Sequence, residues 1–268
     1  MLQSKLFSKT TKNLPEGEES KNAQLLIKGG FVSKSSAGVY SILPLGLKVL
    51  NKINFVIREE MNALGAEELL MPALIQKKYW EKTGRWNTDI IYKTGEQQYG
   101  LGWTHEEVIA SIAAHFINSY RDLPKAVYQI QAKFRAEQRA QAGLLRGREF
   151  LMKDLYSFHK DEKDLADFYQ KAIAAYKKIL RRLGLKVKLT EAGGGVFTKE
   201  FTHEFQVLNL AGEDTVLYCN KCDFAQNKEI SKAEHGDKCP ACKKGSVKMD
   251  RGIEVANVFK LGTKFSEA

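Results

Sequence analysis

The sequence predicts an α+β fold, with helices flanking an antiparallel β-sheet. A strand with a period of two runs from Val127 to Glu137, and a second strand candidate, Glu149 to His159, follows after a short loop. Segments with helical apolar spacing lie on either side of this pair. Strand pairs joined by short loops favour antiparallel pairing over a doubly wound parallel sheet.

The composition indicates a globular chain with a basic surface. Its 268 residues include 42 Lys+Arg against 32 Asp+Glu, a formal charge of +10, and 43% are hydrophobic. The apolar runs fall far below the roughly 20 residues that cross a bilayer. The amino terminus has no apolar signal segment. We therefore expect a cytoplasmic protein with an acidic partner. The residues up to about Asn22 are polar and are expected to form a surface arm before the core.

Two segments show apolar residues at three- and four-residue spacing, which predicts two long helices. The first covers Gly46 to Leu64 and the second Asp161 to Leu183. The second has an acidic start and a basic end, as the helix dipole favours. Its basic half either is simply solvated or contacts nucleic-acid phosphates. Shorter strands are expected at Glu67 to Pro72 and Thr202 to Leu208.

The strand from Val127 to Glu137 has two different faces. One face is apolar and is predicted to meet a core, with Tyr128, Ile130, Ala132 and Phe134. The other is predicted to form a polar floor, with Gln129, Gln131, Lys133, Arg135 and Glu137.

Four cysteines form two Cys-x-x-Cys pairs separated by 16 residues, namely Cys219, Cys222, Cys239 and Cys242. This spacing is typical of a tetrahedral Cys₄ zinc site. Four protein ligands leave no open position, so the zinc would be structural. The alternative is a set of thiols without metal. The segment 216–248 is accordingly predicted to be a small zinc-ribbon-like module.

Arginines cluster between the two central strands. Arg135 ends the polar floor, Arg139, Arg146 and Arg148 lie in or beside the loop, and Phe150 follows. Guanidinium groups offer planar, permanently charged donors that suit a polyphosphate, and an aromatic ring offers a flat face for a base. The alternative is that the arginines pair with surface carboxylates. There is no Walker or Rossmann glycine motif.

The segment Phe134–Glu137, followed by Gly143–Asp154, resembles motif 2 of class II aminoacyl-tRNA synthetases in the form found in bacterial-type prolyl-tRNA synthetases. Gly38–Leu50 through Pro72 resembles the motif 1 region, and Trp103–Glu107 resembles the Thr-x-Glu amino-acid-binding segment. Further matches lie at residues 202–205, 212–215, 251–254 and 261–264. The resemblance covers nearly the whole chain.

The resemblance implies ATP-dependent activation of proline to prolyl-adenylate, assisted by Mg²⁺, and transfer of the prolyl group to tRNA(Pro). It implies that Arg135 holds the α-phosphate and stabilises charge during the reaction. Glu137 would fix the adenine or the terminal tRNA adenosine. Arg146 would hold the outer phosphates, and Phe150 would stack on adenine.

The same resemblance implies the amino-acid site and the oligomeric state. Thr104 and Glu106 would bind the cationic imino nitrogen of proline, and His203 lies in a segment that lines this pocket. The motif 1 helix would form part of a homodimer interface. The implied domains are a catalytic core over 1–215, the cysteine module over 216–248 and a return segment over 249–268.

The sequence departs from the family pattern in three places. The loop reads Arg-Ala-Gln-Ala-Gly over 139–143 where the family usually has Arg-Pro-Arg-Phe-Gly. Residues 195–202 introduce Lys199 and Glu200 where small residues are usual. Only 16 residues separate the cysteine pairs, so no editing domain lies there. The sequence ends before the place where motif 3 and an anticodon-binding domain are expected.

Two functions are therefore compatible with the sequence. One is the catalytic region of a prolyl-tRNA synthetase, favoured by Arg135, Glu137, Thr104 and Glu106. The other is a non-catalytic, synthetase-like protein that binds an amino acid, a nucleotide or a partner, favoured by the altered loops.

Overall fold

A computed structural model describes residues 2–14, 17–138, 142–195, 197–198 and 200–267, and it has the predicted α+β architecture. Arg139 of the arginine loop and Lys199 lie outside the described residues. The chain divides into two compact units, Met1–Lys160 with Lys264–Ala268 and Asp161–Thr263. The predicted boundaries at 215/216 and 248/249 stay a prediction.

The first unit combines helices with three small sheets. Its described helices are α1 (Lys21–Lys28), α2 (Pro44–Ala63), α3 (Lys77–Lys82) and α4 (Glu106–Phe116). Its described strands are β1 (Val32–Ser36), β2 (Val39–Ile42), β3 (Glu67–Glu68), β4 (Leu74–Gln76), β5 (Lys93–Thr94), β6 (Tyr99–Leu101), β7 (Lys125–Phe134) and β8 (Glu149–Phe158). They pair in the orders β1-β2, β3-β7-β8 and β4-β6-β5.

The first predicted long helix is confirmed as α2. It begins two residues earlier than predicted because Pro44, whose fixed φ suits the first turn, occupies its start. It ends just before Gly65, which adopts φ 85°. The strand predicted at Glu67 to Pro72 is shorter, and β3 pairs with β7 in parallel. The prediction of antiparallel pairing is therefore wrong for β3.

The two central strands form the predicted antiparallel pair. Their register runs from Lys125 opposite Phe158 to Phe134 opposite Glu149. Residues directly opposite each other share a face of the sheet. One face therefore carries Gln129 and Asp154 at one position and Lys133 and Phe150 at another.

The predicted polar floor of β7 is wrong, whereas burial on the predicted apolar face is confirmed at Tyr128, which is 0% exposed. Gln129 and Lys133 are both 0% exposed, whereas Ile130 is only partly buried. The polar face meets a core cluster of Met71, Ile75, Trp80, Trp86, Ile91, Trp103, Val108, Ile109 and Tyr156, against which Val127 also packs. Burial of these polar groups is possible because they hydrogen-bond to one another and to main-chain atoms.

The second unit contains one long helix and a closed barrel. Helix α5 (Glu162–Arg182) confirms the second predicted helix, and its N-cap Asp161 accepts a hydrogen bond from the Asp164 amide at 2.8 Å. The strands are β9 (Lys188–Ala192), β10 (Thr202–Leu208), β11 (Asp214–Cys219), β12 (Ala225–Asn227) and β13 (Val247–Val258). Their order is β10-β13-β11-β12-β9, closed by a parallel pairing of β12 with β9.

Across the described ranges, none of the helices combines the length and the apolar character that spanning a membrane requires.

Candidate active site

Main-chain hydrogen bonds bring the Thr104 loop to the end of β7. The Phe134 amide donates to the Gly102 carbonyl at 3.1 Å, and the Gly102 amide donates to the Ala73 carbonyl at 2.7 Å. Thr104 follows Gly102 by two residues, and Arg135 follows Phe134 by one. The predicted amino-acid-binding and phosphate-binding segments therefore start from neighbouring backbone positions.

Arg85, a residue absent from the sequence predictions, joins the predicted amino-acid-binding side chains. Its Nη2 donates to Thr104 Oγ1 and to Glu106 Oε2, each at 2.9 Å. Its Nε donates to Glu107 Oε1 at 2.6 Å. The guanidinium carbon lies 4.7 Å from the centre of a Trp103 ring and 4.9 Å from that of Phe265. Arg85 is thus held by charge, hydrogen bonds and aromatic rings together.

The two consecutive carboxylates at the start of α4 have different surroundings. Glu107 also accepts a hydrogen bond from Thr83 Oγ1 at 2.6 Å. Glu106 Oε1 has no hydrogen-bond partner among the residues described. Burial alone would lower the pKa of Arg85, but the hydrogen bonds and charges of Glu107 and Glu106 raise it. The guanidinium therefore stays charged.

A second buried network lies beside the first. Lys133 Nζ donates to His105 Nδ1 and forms an ion pair with Asp154. His105 Nε2 lies 3.0 Å from the Pro72 carbonyl oxygen, so Nε2 carries the ring proton and donates it there. Burial and the charge of Lys133 lower the pKa of His105 to about 4. His105 is therefore neutral at pH 7 and braces the turn that carries Thr104.

Glutamines of β7 attach the segment after β3 to this network. Gln129 Nε2 donates to Asp154 Oδ2 at 2.8 Å, and its Oε1 accepts from the Met71 amide at 3.1 Å. Gln131 Nε2 donates to the Met71 carbonyl at 2.6 Å. Burial lowers the pKa of Lys133; the Asp154 and Glu106 carboxylates oppose this shift, and the Arg135 charge adds to it. The network therefore lies close to both predicted subsites.

The predicted phosphate-binding residues lie at the end of β7 and the start of β8. The Arg135 guanidinium carbon lies 5.3 Å from the centre of the Phe150 ring, a cation–π contact. Glu137 is partly buried, and its carbonyl accepts from Arg148 Nε at 2.9 Å. Arg146 lies on the exposed part of the loop. The structure therefore brings Arg135 and Phe150 together and leaves Arg146 at the surface.

Asn22 holds the described end of the arginine loop. Its Nδ2 donates to the Ala142 carbonyl at 2.7 Å, and its Oδ1 accepts from the Leu144 amide at 3.1 Å. Gly143, between them, has φ 63° and would place a Cβ 2.5 Å from Asn22 Oδ1. Asn22 therefore lies on α1 and supports the loop. The predicted polar arm ends at the start of this helix, at Lys21.

His203 lies in the second unit, on β10 between β9 and β13. The Tyr169 hydroxyl lies 2.8 Å from His203 Nδ1 and donates to the Val258 carbonyl at 3.0 Å. Because the hydroxyl has a single proton, His203 Nδ1 is the donor and Nε2 carries the lone pair. Burial, together with Lys177 and Lys260, lowers the pKa of His203.

The four cysteines of the second unit converge. Their Sγ atoms all lie within 4.8 Å of one another, with Cys219 and Cys242 at 3.7 Å and Cys222 and Cys239 at 3.7 Å. The Lys221 amide donates to Cys219 Sγ at 3.3 Å. Gly245 allows this approach, since a Cβ there would lie 2.4 Å from Cys219 Sγ. Four thiols with main-chain N–H donors fit a tetrahedral Zn²⁺.

Comparison with known proteins agrees with this fold and site. Residues 88–268 match the family described as tRNA synthetase class II core domain (G, H, P, S and T), which is more than half of the chain. The chain therefore belongs to the class II aminoacyl-tRNA synthetase core family.

Within this family its relatives are proline–tRNA ligases. The chain is 46% identical over 236 residues to the proline–tRNA ligase of Bacillus cytotoxicus, covering 86% of this chain and 42% of that protein. It is 44% identical over 238 residues to the enzyme of Exiguobacterium sibiricum, covering 87% of this chain and 42% of that protein. The chain thus spans less than half the length of these relatives.

Solved structures show the same fold at lower identity. A prolyl-tRNA synthetase from Cryptosporidium parvum, in complex with L-proline and AMP, superposes with a TM-score of 0.63 at 18% identity. The match covers 70% of this chain and 39% of that one. Another structure of that protein, with halofuginone and AMPPNP, gives 0.69 at 17% identity over 91% of this chain and 45% of that one.

Sequence reasoning missed the two cations that organise the first unit. Arg85 lies about twenty residues before its partners, in a segment without a recognisable motif. Lys133 was assigned to a polar floor, yet it is fully buried. The useful signal was the register of β7 and β8, which would have placed Lys133 and Asp154 on one face.

Proposed function

We propose that this chain is the amino-acid-activating core of a prolyl-tRNA synthetase, which converts proline and ATP to prolyl-adenylate and pyrophosphate. The observation that carries the proposal is the pairing of Thr104 and Glu106 through Arg85 near the end of β7, where Arg135 and Phe150 also lie. Membership of the class II family and 46% identity to a proline–tRNA ligase support it.

The proposed reaction uses the two groups of side chains differently. The cationic imino nitrogen of proline would bind Glu106 Oε1 and the Thr104 hydroxyl. Arg135 would contact the α-phosphate and stabilise the charge that develops there as the proline carboxylate attacks. Phe150 would stack on adenine, with Glu137 and Arg146 contacting the adenine and the outer phosphates. Mg²⁺ would supply charge neutralisation on the phosphates of ATP.

No protein nucleophile is needed for this reaction, because positioning and electrostatics carry it. The neutral state of His105 fits a supporting role. A role of His203 in amino-acid binding stays a prediction from the family resemblance.

The test is proline-dependent exchange of pyrophosphate into ATP by this chain and by any longer form from the same gene. We expect exchange that falls at least a hundredfold in Arg135→Ala and Glu106→Gln. Arg58→Ala is the matched control, because Arg58 makes an exposed ion pair with Glu68 at 2.9 Å. Absence of exchange from both forms, with proline or ATP still bound, would favour the non-catalytic binding protein instead.

We also propose that the four cysteines hold one structural Zn²⁺ within a module over 216–248. Strands β11 and β13 enter and leave this segment, and the convergence of the four Sγ atoms supports the assignment. Metal analysis after gentle purification should give one zinc per chain. A value well below one would contradict the proposal.

The remaining proposals concern partners and location. Apolar side chains remain exposed on or near α2, including Leu47 at 47% and Phe55 at 60%, which supports a homodimer through this helix. Phe55→Lys should give a monomer by light scattering, whereas Phe116→Lys, at a phenylalanine of α4 that is 71% exposed, should not. We further propose that tRNA(Pro) accepts the prolyl group, that the charge of +10 favours its binding, and that the protein acts in the cytoplasm.

A further inference from the structure

Arg85 is shared unequally between two consecutive carboxylates. Glu107 receives Nε at 2.6 Å and Nη2 at 2.5 Å, whereas Glu106 receives only Nη2, at 2.9 Å. The side chain of Glu107 is 4% exposed and that of Glu106 is 11% exposed. Glu107 is therefore the main neutralising partner of the guanidinium.

The charges of this cluster leave one negative charge over. Two carboxylates and one guanidinium sum to −1, and the neighbouring ion pair of Lys133 with Asp154 adds no net charge. A carboxylate that is largely removed from water needs a cation or donor for compensation. Glu106 Oε1, which lacks a partner among the described residues, is the atom at which that compensation is incomplete.

We infer that Arg85 is a positioning residue that cancels the charge of Glu107, orients Glu106 and Thr104, and thereby makes the site selective for a ligand with a single ammonium-type cation. This deepens the proposed function and rests on it for the identity of the ligand. A ligand without the cation would leave Glu106 uncompensated. A second cation on the ligand would meet the positive charge of Arg85, because the one excess negative charge of these three residues is already used by the first cation.

Substitution of Glu107, which is not proposed to touch the ligand, should change the affinity for proline. Glu107→Gln keeps the side-chain shape but brings the cluster to zero net charge, because Arg85 then neutralises Glu106. The double variant Arg85→Met with Glu107→Gln returns the cluster to −1. Charge balance therefore predicts loss in the single variant and recovery in the double variant, whereas a purely structural role predicts that damage accumulates.

The experiment measures binding of L-proline and of cyclopentanecarboxylate, which has the same ring without the nitrogen, by calorimetry and amide chemical shifts. In Glu107→Gln we expect proline to bind at least tenfold more weakly, a loss of about 1.4 kcal/mol. Cyclopentanecarboxylate should bind no more weakly than to the unaltered chain, because Arg85 then compensates Glu106. In the double variant we expect proline affinity within about threefold of the unaltered chain. Unchanged proline affinity in the folded single variant, or no recovery in the double variant, overturns the inference.

Two further variants guard against loss of folding. Arg85→Lys keeps the charge but removes the planar fork, and we expect it to weaken proline binding about threefold, the loss also allowed in the double variant, with its thermal unfolding still cooperative. Equal proline affinity in this variant also overturns the inference. Arg58→Met, at the exposed pair with Glu68, is the matched control and should bind proline normally.

Pyrrolidinium, the bare cation, separates this inference from the proposed function. Suppose that pyrrolidinium shifts the amide signals of Thr104 and Glu106, that these shifts vanish in Glu107→Gln, and that proline does not bind. This result would support the role of Arg85 and contradict proline activation. If neither compound shifts these amides in the unaltered chain, both are overturned.

Discussion

Lys133 Nζ donates a hydrogen bond to His105 Nδ1 in the interior of the first unit, where both side chains are 0% exposed. This contact links the strand that ends at the predicted phosphate site to the turn that carries the predicted amino-acid site. Because a cation donates to the imidazole, protonation of His105 is opposed by both burial and charge. Stability should therefore depend on pH through a group that takes no part in the chemistry.

The first prediction concerns that pH dependence. The pKa of His105 is about 4 in the folded chain, against 6.5 for a free histidine, so the unfolded chain binds more protons between these values. The stabilisation is complete above about pH 6.5 and is lost as the pH falls to about 4, a change of roughly 3 kcal/mol. Urea unfolding of His105→Asn at several pH values should show a smaller dependence by about this amount.

Asn51, which is exposed on α2 and does not titrate, provides the control for this measurement. Asn51→Ala should leave the pH dependence of the unfolding free energy unchanged. An identical dependence in the unaltered chain and in His105→Asn would contradict the assignment of a neutral, buried His105.

The second prediction concerns the buried ion pair. Lys133→Met leaves the Asp154 carboxylate buried without the Lys133 cation, with Gln129 and Tyr156 still donating hydrogen bonds to it, and we expect a loss of about 3 to 5 kcal/mol in unfolding free energy. Adding Asp154→Asn to this variant should recover part of the loss, because the uncompensated charge is removed. Chemical denaturation measures both. A loss below 1 kcal/mol, as expected for Arg58→Met at an exposed pair, would mean that the pair is not desolvated.

The third prediction concerns the arginine loop. Asn22→Ala removes one hydrogen bond to the Ala142 carbonyl and one from the Leu144 amide, so Leu144 should exchange its amide hydrogen faster. The expected cost in stability is about 1 to 3 kcal/mol. Hydrogen exchange by mass spectrometry or NMR reports the effect. Asn62→Ala, which removes one of the two acceptors of the Tyr128 hydroxyl instead, should leave Leu144 unaffected.

The fourth prediction sets helix propensity against packing. In a helix, Gly→Ala usually stabilises by up to about 1 kcal/mol. At Gly46 of α2, however, a Cβ would lie 2.2 Å from the Phe31 carbonyl oxygen. Because this oxygen belongs to the main chain, a side-chain movement cannot relieve the clash. Thermal unfolding of Gly46→Ala should therefore show a loss of at least about 2 kcal/mol. Asn51→Ala, at an exposed position of the same helix, should be neutral or slightly stabilising.

The fifth prediction concerns the cysteine module. Gly245→Ala would press a methyl group against Cys219 Sγ, at 2.4 Å, and should reduce the zinc content or affinity measured by a competing chelator. Lys244→Ala, at the neighbouring exposed residue, should retain zinc. Full zinc retention by Gly245→Ala would show that the glycine is not needed for the approach of the thiol.

Local patterns allowed the elements to be predicted, whereas long-range pairing decided their environment. The strands around Val127 and Glu149 and both long helices lie within a few residues of their predicted ends, because periodicity is a property of neighbouring residues. The burial of Lys133 depends on Asp154 and His105, each more than twenty residues away. No periodicity in β7 alone could distinguish a solvated polar face from a paired, buried one.

In the candidate site, too, local features were predictable and long-range contacts were not. The cysteine cluster was predictable because its spacing is local, and the closeness of Arg135 to Phe150 followed from a short loop. Arg85 was not predictable from its surroundings, since its role arises from Glu106 and Glu107 on a later helix and from the Phe265 ring near the other end of the chain.

The contact of Phe265 with Arg85 has a consequence for the order in which the protein is made. Phe265 belongs to the first unit, although residues 161–263, which form the second, precede it in the chain. A ribosome releases residues in sequence, and domains generally fold as units during synthesis. The first unit therefore receives the Phe265 ring only after the whole second unit has been synthesised, and until then one neighbour of the Arg85 guanidinium is missing.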